Sequence, residues 1–151
     1  MTMGGDLPGS VLFACDRNST RSAMAEAIMK YLCGHKVYVD STGVQRIDAT
    51  ADPFALETME EIGLDLSDHQ PKSFDDLTDT SIDLIITFTP QARHRAVEFT
   101  RTIPCEIEYW PMKHPGDVGG SRDVRLQAYR DLRDALFARI KVRFFSQDGS
   151  V

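Results

Sequence analysis

The sequence predicts an α/β fold in a single domain: a three-layer sandwich with a four-stranded parallel sheet flanked by helices. Three observations carry this. Apolar runs at residues 11–14 and 82–88 are bounded by turn residues, as strands buried on both faces are. Segments of helical period follow each run. Strand and helix then keep alternating along the chain, so the connections are crossovers and the strands parallel.

The elements follow in order. Residues 11–14 form the first strand, which stops at Cys15. Residues 23–32 form a helix, with Ala23, Met24, Ala27, Ile28, Tyr31 and Leu32 recurring every three to four positions. Gly34 is a suitable C-terminal cap. Residues 36–40 alternate weakly and predict a second strand, with 41–43 as the loop after it. Asp52 and Pro53 open a second helix, a capping carboxylate followed by proline in the first turn, and Gly63 ends it after Ile62. Residues 64–73 are polar and irregular, and 74–77 fit one helical turn. Residues 82–88 are the third, central strand. Pro90 starts a helix reaching about Thr100, and residues 105–110 form the fourth strand. A loop rich in proline and glycine spans 111–120. A long helix over 124–145 places Leu126, Tyr129, Leu132, Leu136, Ile140 and Phe144 on one side. Residues 1–9 are expected to be a flexible leader, 10–145 the domain and 146–151 a loose tail. In such sheets the ligand sits beyond the carboxyl ends of the strands, so Cys15, Ser41 and the 111–120 loop are expected on one rim.

Composition narrows the function. At 151 residues the chain is long enough to bury a core, and 42% hydrophobic content is ordinary for a globule. A net charge of −6 argues against binding nucleic acid or anionic membranes through bulk charge. The apolar runs are too short to span a bilayer, and the N-terminal residues lack the basic and apolar regions of a signal peptide. Three cysteines, Cys15, Cys33 and Cys105, show neither a disulfide framework nor zinc spacing. No metal and no cofactor are expected, and the cytoplasm is the expected location.

Chemistry concentrates where the first strand meets the first helix. Cys15 stands on that loop, and Arg21 follows six residues later where the helix begins. The first N–H groups of a helix lack intrahelical partners, and its dipole places positive charge there. The loop is therefore an anion site. Arg21 adds a planar fork for two oxygens of a tetrahedral anion. The same field favours a thiolate at Cys15.

These residues carry a resemblance. Cys15-Asp16-Arg17-Asn18-Ser19-Thr20-Arg21-Ser22, preceded by a strand and followed by Met24-Ala25-Glu26, resembles the signature of the low-molecular-weight protein tyrosine phosphatases and the related arsenate reductases. The likeness continues through Asp40-Ser41-Thr42-Gly43, residues 62–67, His69, the 82–88 strand, Trp110 and Gly120-Ser121-Arg122. It implies a phosphatase-like, flavodoxin-type topology and a metal-free hydrolysis of phosphotyrosine or related phosphate monoesters. Cys15 would attack phosphorus and form a cysteinyl-phosphate that water then releases. Residues 16–22, Arg21 among them, would hold the phosphoryl oxygens. Ser22 would donate to the Cys15 sulfur. Asn18, tolerant of left-handed backbone, would shape the loop, with Ser41 and His69 holding it. The implied partners are a phosphorylated protein or small phosphate monoester, with phosphate, sulfate or arsenate as ligands.

The sequence departs from the family at two places. The aspartate that precedes proline in the family, and protonates the leaving oxygen, is here His114, before Pro115. Histidine can donate a proton near neutral pH. Asp117 is an alternative acid if the loop bends. Inside the loop, Asp16 opposes thiolate formation, while Arg17 compensates, reaches a substrate anion or stays solvated. Tyr109, Trp110 and Phe74 are candidate rim aromatics, with Tyr109 and Trp110 equally suited to the core. Two other functions remain open. An arsenate reductase would need an external thiol, because Thr20 stands where thioredoxin-coupled relatives carry a cysteine and no cysteine lies between Phe88 and Pro104. A weakly active phosphate- or phosphoprotein-binding module would follow if His114 supplies no proton.

Overall fold

The computed structural model describes residues 7–145. Its elements are β1 (Ser10–Cys15), α1 (Arg21–Cys33), β2 (Tyr38–Gly43), α2 (Pro53–Glu60), β3 (Leu84–Thr87), α3 (Pro90–Phe99), β4 (Glu106–Tyr109) and α4 (Arg122–Phe145). Short 3-10 turns lie at Phe74–Asp76 and Pro115–Asp117. The strands are all parallel, in the order β2-β1-β3-β4. The chain steps from β1 outward to β2, then back past β1 to β3. That reversal opens a crevice beyond the carboxyl ends of β1 and β3.

The strand period of two sorts side chains into the layers. Along β1, Val11, Phe13 and Cys15 enter one apolar cluster, and Leu12 and Ala14 enter the other. Leu84 and Ile86 of β3 join the first cluster, and Ile85 the second. The first cluster also takes Met24 and Ile28 of α1, Met59 of α2, and Leu136 and Ile140 of α4. Phe74 and α3, through Ala92 and Ala96, cover the opposite face. Each fully buried side chain of this size contributes roughly 1.5–3 kcal/mol of transfer free energy. On α4, Leu126, Tyr129, Leu132, Leu136, Ile140 and Phe144 are buried at helical spacing.

Several boundaries differ from the sequence reading. Ser41, Thr42 and Gly43, expected as loop, belong to β2, because Phe13, Ala14 and Cys15 continue the parallel pairing as far as Gly43. Helix α1 starts at Arg21 and ends at Cys33. Tyr31, assigned to its apolar face, is 64% exposed, and Met29 is buried instead. Helix α2 stops at Glu60, and Ile62 is exposed in the turn before Gly63. The central strand is trimmed to Leu84–Thr87 and the last strand to Glu106–Tyr109. Of the expected leader, residues 1–6 lie outside the described residues, but Leu7 packs against the core and Gly9 donates to Asp83 Oδ2 at 2.9 Å. The expected tail, 146–151, lies outside them too. No helix among the described residues is long and apolar enough to cross a membrane.

Candidate active site

The loop from Cys15 to Arg21 is held from outside by its own carbonyls. Cys15 O accepts from Val44 N at 3.0 Å and Asp16 O from Gln45 N at 2.9 Å. Asn18 O accepts from His69 Nε2 at 2.6 Å, and Ser19 O from Asp52 N at 2.9 Å. In a trans peptide the next N–H points opposite to the carbonyl. The N–H groups of Asp16, Arg17, Ser19 and Thr20 are therefore turned inward, and none of them donates among the described residues. Asn18, at φ 58°, supplies the left-handed kink that closes the loop. Its Nδ2 donates to Ser22 Oγ and to Ser41 Oγ, both at 2.8 Å, and its Oδ1 accepts from Lys72 N at 3.0 Å. Ser41 Oγ in turn donates to Glu26 Oε1 at 2.5 Å.

Two reactive groups face this bowl. Cys15 Sγ lies 2.9 Å from Ser22 Oγ. Arg21 is 8% exposed; Nη1 donates to Met112 O at 3.0 Å, Nη2 is 3.8 Å from Asp16 Oδ2, and Nε is buried with no partner. A buried donor without a partner costs about 1–3 kcal/mol, so an oxyanion in the bowl would remove a standing penalty. The bowl opens into a cleft of ≈ 990 Å³ whose far wall holds Met112, Lys113, His114 and Asp117. Burial, and then the charge of Arg21, hold the His114 imidazole below its ordinary pKa. No cluster of three or more histidines, cysteines or acidic residues able to hold a metal occurs among the described residues.

The family model described as low molecular weight phosphotyrosine protein phosphatase matches residues 10–117. The chain belongs to this phosphatase family. Its relatives include an arsenate reductase of Halalkalibacterium halodurans, 28% identical over 141 residues, covering 92% of this chain and 96% of that one. A glutaredoxin arsenate reductase of Synechocystis is 35% identical over 132 residues, covering 87% of this chain and 92% of that protein. The low molecular weight protein tyrosine phosphatase of T. tengcongensis superposes with a TM-score of 0.72 at 25% identity, over 87% of this chain and 95% of its own. The phosphatase family thus includes both hydrolases and reductases among this chain's neighbours.

Cys15 and Arg21 line one cleft, Cys15 Sγ lies against Ser22 Oγ, and Ser41 and His69 both reach Asn18. Ser41 does so from within β2 and not from a loop after it. His114 and Asp117 line the same cleft, one half-buried and one exposed, while Arg17 stands exposed at its mouth. Of the three candidate rim aromatics, Trp110 is buried at 3% exposure, Phe74 belongs to the opposite apolar cluster and Tyr109 lines the cleft, where Phe88 joins it. Asp16 accepts a hydrogen bond from Thr89 Oγ1 at 2.7 Å, which ties it to the start of α3. Sequence reasoning missed three contributors. Asp48 accepts from Ser19 Oγ at 2.9 Å. Asp52, expected only as a helix cap, also accepts from Thr20 Oγ1 at 2.9 Å and from Tyr129 Oη at 2.6 Å. Tyr129 was legible only as a core residue of α4.

Proposed function

We propose that the chain is a cysteine-dependent phosphatase acting on phosphotyrosine or a related phosphate monoester. What supports this reading is that Cys15 and Arg21 line one cleft, with Arg21 Nε unpartnered and the amides of Asp16, Arg17, Ser19 and Thr20 free to meet an oxyanion. In the first step the Cys15 sulfur attacks phosphorus, a P–S bond forms and the P–O bond to the leaving group breaks. His114 gives the leaving oxygen its proton. In the second step water attacks phosphorus, neutral His114 takes the water's proton, and the P–S bond breaks to return the thiolate and phosphate. Arg21 and the loop amides hold the equatorial oxygens throughout.

The cysteine arrangement favours hydrolysis over internally resolved reduction. Cys33 lies at the far end of α1, ~18 Å along the helix from Arg21 at 1.5 Å per residue. Cys105 precedes Glu106, whose partner Leu84 pairs with Val11 at the opposite end of β1 from Cys15. Neither can reach an arsenic adduct on Cys15 without unfolding the sheet, and burial raises the pKa of both thiols. The arsenate reductases among the relatives keep a second reading in view, with an external thiol resolving the adduct.

The test is hydrolysis of an aryl phosphate by the wild type and Cys15→Ser, alongside arsenate-dependent consumption of glutathione. Turnover that vanishes in Cys15→Ser, with no arsenate-dependent thiol loss, is the expected result. Thiol consumption without phosphate release would establish the reductase. Phosphate binding without either reaction would leave a binding module.

A further inference from the structure

Asp52 does more than its place in the chain requires. Capping α2 uses one oxygen, Oδ1, which accepts from Phe54 N at 2.9 Å. The other oxygen, Oδ2, joins two distant elements: Thr20 of the phosphate loop at 2.9 Å and Tyr129 of α4 at 2.6 Å. Tyr129 is 2% exposed, and burial together with the Asp52 carboxylate pushes its ionisation far above the ordinary phenol range. It stays protonated and serves as a fixed donor to Asp52.

His114 meets this pair edge-on. Its ring centroid lies 6.5 Å from that of Tyr129, with the planes at 76°. Gly116 makes the approach possible, because a Cβ there would fall 2.7 Å from His114 Nε2 and 3.0 Å from Tyr129 Oη. His114 Nδ1 is buried with no partner. An imidazolium carries hydrogen on both nitrogens, so charging His114 buries an N–H without an acceptor. Arg17 and Arg21 in the phosphate loop oppose that charge, whereas Asp117 in its own turn and Asp52 at the cap of α2 favour it. Lys113 precedes it in sequence, and the facing Tyr129 of α4 is neutral. Asp117 favours the charge more strongly than Asp52 does but is exposed to solvent, whereas Asp52 is partly buried and fixed by bonds on both oxygens.

We propose that Asp52 is a positioning residue for His114, and that Tyr129 sets how much of the Asp52 charge His114 feels. This rests on the reading of His114 as the acid for the leaving group. The carboxylate keeps a proton available on a poorly solvated imidazole beside two arginines. The Tyr129 hydroxyl moderates it by occupying one lone pair.

The test uses Asp52→Asn, which keeps the shape and the capping oxygen, and Tyr129→Phe, which removes only the donor. The His114 ring resonance, assigned through His114→Gln, is titrated by NMR, and kcat and KM for an aryl phosphate are measured against pH. In Asp52→Asn, His114 is expected to titrate at lower pH than in wild type, and kcat at pH 7 to fall severalfold with the protonated fraction, with KM little changed. In Tyr129→Phe the titration is expected to move the opposite way. Opposite displacements in two folded variants are not what a purely structural role gives. Shifts in the same direction, or none, would overturn the proposal. If the titrations move as expected but the kcat profile does not, the coupling stands and His114 is not the acid. Loss of aryl phosphate turnover in the wild type would bear on the phosphatase reading alone, because the NMR titration does not depend on it.

Discussion

The Ser22 hydroxyl stands 2.9 Å from the Cys15 sulfur while accepting a hydrogen bond from Asn18 Nδ2 at 2.8 Å. The Asn18 hydrogen occupies one Ser22 lone pair, so the single Ser22 hydrogen is left for the sulfur or for Thr42 O at 3.3 Å. A thiolate accepts only, and Ser22 then donates to it. A hydrogen bond to a charged group is worth about 1.5–3 kcal/mol. Ser22→Ala is therefore expected to slow turnover about ten- to a hundredfold and to slow alkylation of Cys15 at pH 6. Unchanged alkylation would place the Ser22 hydrogen on Thr42.

Asn18 holds the loop by side chain and backbone at once. Asn18→Ala removes three hydrogen bonds and leaves a β-carbon at φ 58°, for a loss of ~3 kcal/mol. Asn18→Gly loses the same bonds but not the backbone compatibility. Denaturant unfolding should find the glycine variant more stable than the alanine variant by about 1 kcal/mol.

Gly43 lies directly behind the bowl. A Cβ there would meet Asn18 N at 2.8 Å, Arg17 C at 2.9 Å and Asp16 O at 3.0 Å, all backbone atoms that no rotamer change can move aside. Gly43→Ala is expected to displace the amides and weaken phosphate inhibition at least tenfold, about 1.4 kcal/mol. The fold itself should persist, as read by circular dichroism.

His114 makes activity and stability run oppositely with pH. Its folded pKa is depressed by burial and by Arg21, so it is neutral at pH 7. Turnover per enzyme should rise as pH falls below about 6.5, where the imidazole gains its proton. Over the same window the unfolded chain binds the proton more readily. The stability His114 contributes is thus present above about 6.5 and lost as pH falls through the folded value. His114→Gln should lack both trends, which a pH series of rates and melting temperatures would reveal.

Glu61 gives a second acid-sensitive contact. Hydrogen bonds from Arg130 and Arg133 lower its pKa from the ordinary 4.5 to about 2. The contribution is present above pH 4.5 and is lost as pH falls through about 2. It joins the end of α2 to α4, where Arg133 Nη1 also donates to Thr58 O at 2.8 Å. Wild type should lose more melting temperature than Glu61→Gln between pH 5 and pH 2.

Much of the fold was legible because its signals are local. The run at residues 11–14 and the spacing from Cys15 to Arg21 are properties of a few consecutive residues. Boundaries shifted where pairing with a distant segment decided them, as when β2 took in Ser41, Thr42 and Gly43 by alignment with β1. Tyr31 illustrates a different ambiguity: a three-to-four spacing admits either edge of an apolar stripe, and packing against α4 selected Met29 for burial and left Tyr31 at the rim.

The sequence by itself determined the parallel α/β architecture and the constellation of Cys15, Asn18, Arg21 and Ser22, since a strand, a tight loop and a helix start constrain one another over twelve residues. Tertiary structure alone decided what surrounds that loop. Asp52 and Tyr129 are 77 positions apart, and Asp16 and Thr89 are 73 apart. No residue period records such pairings; they exist only because the sheet order brings β1 and β3 together and α4 back across α2. The environment of His114, and with it the timing of its proton, is a product of that closure.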